Sequence, residues 1–98
     1  MDAAFTFTRL SEDLSSLLDH GDFEGAEELL SASLAQHPEW QGFIHFHFGR
    51  LYRKWNKLSS AVQHLNQAVE AASGNDLFLV QVLDELNQAK RAQLSQRP

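Results

Sequence analysis

Cysteine is absent from the 98 residues, which removes disulfides, thiolate metal ligands and thiol nucleophiles together. Only two prolines occur, Pro38 and Pro98, so no ring interrupts a helix anywhere between them. No apolar run approaches the ~20 residues that span a bilayer. The first residues, Met1-Asp2-Ala3-Ala4-Phe5, have neither the basic lead nor the apolar core of a secretory signal. Phosphate-cradling glycine loops are missing, and Ser15-Ser16 and Ser59-Ser60 lack the glycine-flanked elbow of a serine nucleophile. These gaps predict a cytoplasmic protein that is not an enzyme and needs no cofactor.

Bases are scarce in the first forty residues, where nine acids face Arg9 alone for a balance of −8. Residues 41–98 reverse this, with seven bases against Glu70, Asp76, Asp84 and Glu85 for +3. The halves are electrostatically opposite, which steers association. Either the acids coat one solvated helix pair, or they meet the basic half of another molecule.

What is present is a helical period. Leu10, Leu14, Leu17 and Leu18 recur at three- and four-residue spacing. His20-Gly21-Asp22 offers a left-handed stop followed by a cap, and Pro38 ends a helix near His37. Trp55-Asn56-Lys57 reads as a second tight turn with Asn56 as the cap, and Ser73-Gly74-Asn75-Asp76 as a third break. The expectation is five helices near 3–20, 23–36, 41–55, 58–72 and 76–94, with no strand.

Two of these helical hairpins are one unit written twice. Gly21-Asp22-Phe23-x-x-Ala26 aligns with Asn56-Lys57-Leu58-x-x-Ala61 at an offset of 35 residues, and Leu30, Ser33 and Leu34 with Leu65, Ala68 and Val69. The pattern resembles the tetratricopeptide repeat, a helix-turn-helix unit of 34 residues. Gly49, Tyr52, Ala61, Leu65 and Ala68 fall on the family's glycine, tyrosine, alanine, large apolar and alanine positions. The first unit matches through Gly21-Asp22-Phe23, Ala26, Leu30 and Pro38, but Asp13 and Leu14 stand where leucine and glycine are usual. Ile44-His45 replaces the usual tryptophan region, Ser73 replaces the closing proline, and one residue is inserted near Trp40-Gln41. The resemblance covers about nine-tenths of the chain. It implies a single all-α domain with repeats at 7–40 and 42–75, a capping helix at 76–94 and a right-handed superhelical stack.

It also implies a function, the docking of a partner protein in a groove. In helix 3, His45, Phe48, Tyr52 and Trp55 form one stripe, which the family packs inside the repeat. Phe43, Phe46, Arg50 and Arg53 form a second, which the family turns to its groove. The same resemblance puts His47 and Lys54 beside it, with Leu77 and Val80 from helix 5. An apolar patch rimmed by cations suits an acidic or amphipathic segment of another protein. In a short stack, however, Phe43 and Phe46 could equally pack against helix 1 or helix 5. Thr8, Ser11, Glu12 and Ser15 on helix 1 do not match the groove the family uses for C-terminal carboxylates.

The other chemistry is weaker. His45 and His47 lie two apart on a helix and point different ways, so they cannot share one metal ion. His20, His37 and His64 are isolated in sequence. Arg50, Arg53, Lys54 and Lys57 form a basic patch, but the acidic chain as a whole repels nucleic acid. Phe5, Phe7 and Trp40 lack an assured internal place, which leaves self-association into a dimer or larger array as the rival to binding a foreign segment.

Overall fold

The computed structural model describes the backbone of residues 3–96 and the side chains of residues 9–96, so Phe5, Phe7 and Thr8 lie outside the described side chains. Among the described residues the chain forms α1 (Ala3–Asp19), α2 (Phe23–Gln36), α3 (Gln41–Lys54), α4 (Leu58–Ala71) and α5 (Asp76–Ser95), with a single 3-10 turn at Pro38–Trp40 and no strand. Each expected span agrees to within one residue at either end. No described helix is long and apolar enough to cross a membrane.

The turns explain the breaks. At the end of α1, Gly21 takes φ 73, and the N–H groups of Gly21 and Asp22 donate to the carbonyls of Leu18 and Leu17 at 3.1 and 2.8 Å. This left-handed closing motif satisfies carbonyls that would otherwise be orphaned. The end of α3 repeats it 35 residues later. Asn56 takes φ 63, and Asn56 and Lys57 donate to Arg53 and Tyr52 at 3.2 and 2.7 Å. Asn56 is thus the cap of this turn and closes α3, while the N-cap position of α4 is Lys57, with no side-chain cap bond. Asparagine tolerates that backbone region better than most residues. Asp22 caps α2 through Gly25 N–H at 3.0 Å, and Asn75 caps α5 through Phe78 N–H at 3.2 Å.

Neighbouring helices pack in chain order, and α3 also meets α5. Gly42 lies against Ala71 and Gly49 against Leu65, so α3 and α4 run antiparallel. Ser59 bonds Gln93 and Asn56 bonds Gln96, so α4 and α5 do likewise. Phe46 meets Phe78 while Arg53 meets Glu85, so α3 and α5 run parallel. A methyl group at Gly49 would overlap the Leu65 side chain; glycine there lets two helices approach closely.

Two clusters form the core. One holds Leu14, Ala26, Leu30, Ile44, Phe48 and Leu51. The other holds Phe46, Ala61, Leu65, Ala68, Val82, Leu86 and Ala89. Helix α3 contributes to both, and Tyr52 packs against both. Its phenol donates to Glu27 Oε2 at 2.7 Å, tying α3 to α2. Burial of the phenol, with Glu27 beside it, pushes the Tyr52 pKa up to about 12.

A cationic cleft between α3 and α5 as candidate functional site

The parallel pairing of α3 and α5 sets Phe78 between two aromatic rings of α3. Its centroid lies 6.4 Å from Phe43 and 5.6 Å from Phe46. Phe46 is thereby covered at 7 % exposure, and His47, packed against Phe43 and Phe46, is 6 % exposed. Phe43 is half-buried. Neither Phe46 nor His47 is an open anchor in this state, and at Phe46 the cover is Phe78 of the chain's own fifth helix.

His47 is a costly resident of that wall. Its ring sits 4.3 Å from Phe43 and 5.4 Å from Phe46, and neither nitrogen has a hydrogen-bond partner among the described residues. Burial, helped by the Arg50 charge, holds its pKa down at about 4. It is neutral near pH 7.

One turn further along, the chemistry becomes ionic. Arg53 Nε donates to Glu85 Oε2 at 2.8 Å, and Arg50 Nε stands 3.6 Å from Glu85 Oε1. Arg50 also lies over the Phe46 ring at 5.9 Å. Its Nε is buried without a hydrogen-bond acceptor among the described residues, since 3.6 Å is too long for a hydrogen bond. Two guanidiniums thus share one carboxylate. The Glu85 side chain is 13 % exposed, whereas Arg50 keeps 35 % and Arg53 26 %. Lys54 follows, exposed at the end of α3. The patch carries an excess of positive charge that solvent can reach.

Helix α5 delivers the remaining expected residues unevenly. Leu77 is 82 % exposed and Val80 65 %. Phe78 and Glu85 define the face of α5 that meets α3, and each residue turns the helix by about 100°. Leu77 therefore borders the cleft, while Val80, about 200° from Phe78, lies on the far side of α5 and does not line it. Phe78 and Glu85 were not singled out by sequence reasoning. Their signal was the inward stripe of Val82, Leu86 and Ala89, which fixes the buried face of α5 and carries these two on its flank.

The opposite flank of α3 holds a contact that sequence spacing missed. His45 Nδ1 and His64 Nδ1 are 3.0 Å apart across the α3–α4 hairpin. One ring donates its N–H and the other accepts, which requires at least one of them to be neutral. Burial lowers the pKa of both, and at His64 the neighbouring His45 adds to it. Among the described residues no three histidine, cysteine, aspartate or glutamate side chains gather as a metal ion would need. Rings stack from His64 through Phe48, Tyr52 and Trp55 to Phe23, at centroid spacings of 4.8, 5.8, 6.2 and 5.6 Å. This ladder holds α2, α3 and α4 together.

Comparison with family models, with curated proteins and with solved structures returned no match.

Proposed function

We propose that this chain is a tetratricopeptide-type interaction module, two helix-turn-helix units and a fifth helix in a right-handed superhelical stack. Its function in this reading is that of an adaptor, docking an acidic or amphipathic segment of another protein along the cleft of α3 and α5. The repeat reading is supported by the closing motif that recurs after 35 residues and by Ala26 and Leu30 recurring as Ala61 and Leu65, all fully buried.

The observation that carries the binding reading is the sharing of Glu85 by Arg50 and Arg53. A carboxylate from outside would continue the alternation of charges by pairing with the part of the Arg50 guanidinium that solvent reaches, the side chain being 35 % exposed. Lys54 would add steering, and Leu77 an apolar contact at the rim. The test is selection of random peptides displayed on phage against the whole chain. Enriched sequences are expected to place Asp or Glu beside Leu, Ile or Phe. Their binding weakens about tenfold with Arg50→Gln and Lys54→Glu combined, at unchanged helicity, and falls again as salt is raised. Peptides without acids, or binding indifferent to both substitutions, would reject the cleft.

A further inference from the structure

The outer face of α5 carries a seam that the cleft does not use. Val80, Leu83, Asn87, Lys90 and Leu94 recur at alternating steps of three and four residues, with Asp84 and Arg91 flanking them. Val80 is 65 % exposed, Leu83 41 % and Leu94 64 %. All seven positions fall within an arc of about 120° on the helix, which is the repeat of a two-stranded coiled coil. The face that meets α3 through Phe78 and Glu85 lies opposite, with the buried Val82, Leu86 and Ala89 to one side between them. A helix face turned to water is ordinarily polar; this one presents Val80, Leu83 and Leu94.

We propose that the occupant of this face is a second copy of α5, packed antiparallel across a two-fold axis. The charges on the helix decide between orientations. A parallel pair in register stacks Lys90 on the partner copy's Lys90. An antiparallel pair sets Leu83 against Leu94, Asn87 against Lys90 and Asp84 against Arg91, and the two-fold repeats each contact in reverse. Acids in the first half of α5 and bases in the second make the helix its own complement, and the helix dipoles oppose. Asn87 and Lys90 form a polar layer beside the axis, a device that fixes register at some cost in strength. The seam from Val80 to Leu94 is only about 21 Å long. The dimer is therefore weak, with Kd on the order of tens of micromolar. This inference rests on the outer face alone and is independent of the Arg50 and Arg53 cleft.

Sedimentation velocity of the whole chain from about 1 µM to about 1 mM tests it, with circular dichroism confirming that each exposed-site variant keeps its helix content. A monomer–dimer equilibrium is expected. Leu83→Asp and Leu94→Asp should each abolish it. Asp84→Arg and Arg91→Asp should each weaken it about tenfold, and the two together should restore it. A monomer throughout the range overturns the proposal, including one whose α5 face binds a displayed peptide instead. So does a dimer that ignores Leu94→Asp, or one in which the charge swap fails to rescue the single reversals.

Discussion

The first and the last described helices turn different faces to water. From Arg9 to Asp19, α1 buries Leu10 and Leu14 and turns Arg9, Glu12, Asp13, Ser15 and Ser16 to water. Helix α5 buries Val82, Leu86 and Ala89 but leaves Leu77, Val80, Leu83 and Leu94 exposed. Over those residues α1 has a polar coat, whereas α5 keeps apolar side chains in water. Between them α3 sends Ile44, Phe48 and Leu51 into one cluster and Phe46 into the other. A helix with neighbours on several sides loses its apolar stripes to them, and α5, with fewer neighbours, keeps one exposed.

That contrast sets the scale of four substitutions or conditions. Leu51, fully buried in the centre, should cost about 2–5 kcal/mol as Leu51→Ala in urea melts, and a cost below about 1 kcal/mol would mean that α3 is not interior. Acid comes next. The His47 pKa falls from 6.5 unfolded to about 4 folded, so the unfolded chain binds the proton first. Its contribution is intact above pH 6.5 and is lost as pH drops towards 4, by at most about 3 kcal/mol. His45 and His64 shift in the same direction. His47→Phe should flatten that slope, and a slope unchanged by the substitution would place the sensitivity elsewhere. Tyr52→Phe removes the bond to Glu27 and should cost about 1 kcal/mol, with faster hydrogen exchange in α2. The smallest effect belongs to the exposed face of α5: Leu94→Gln should move monomer stability by no more than about 0.5 kcal/mol, although the same position governs association.

Helix positions were legible because their signals are local. Gly21, Pro38, Gly74 and Asn75 act on the backbone within a few residues of themselves, as does the three- and four-residue spacing of leucines. The cap at Asn56 is equally local; which helix it serves is not, since turn chemistry lets asparagine close one helix or open the next, and here it closes α3. The candidate site was less legible. Arg50 and Arg53 stand out in the sequence as a basic stripe, but the cover over Phe46 comes from Phe78 of α5, more than thirty residues away. Likewise His45 and His64 looked isolated because their neighbourhood is made by the α3–α4 hairpin. Amphipathic spacing says that a face is apolar, and it does not say whether the chain itself or a partner covers it.

The cleft is tested most directly by amide and guanidinium NMR spectra of the whole chain titrated with a selected acidic peptide. Shifts are predicted at Arg50, Arg53, Lys54 and Leu77, largest at the Arg50 guanidinium. Shifts confined to the acidic residues of α1 and α2, or to Val80, Leu83 and Leu94, would contradict the account.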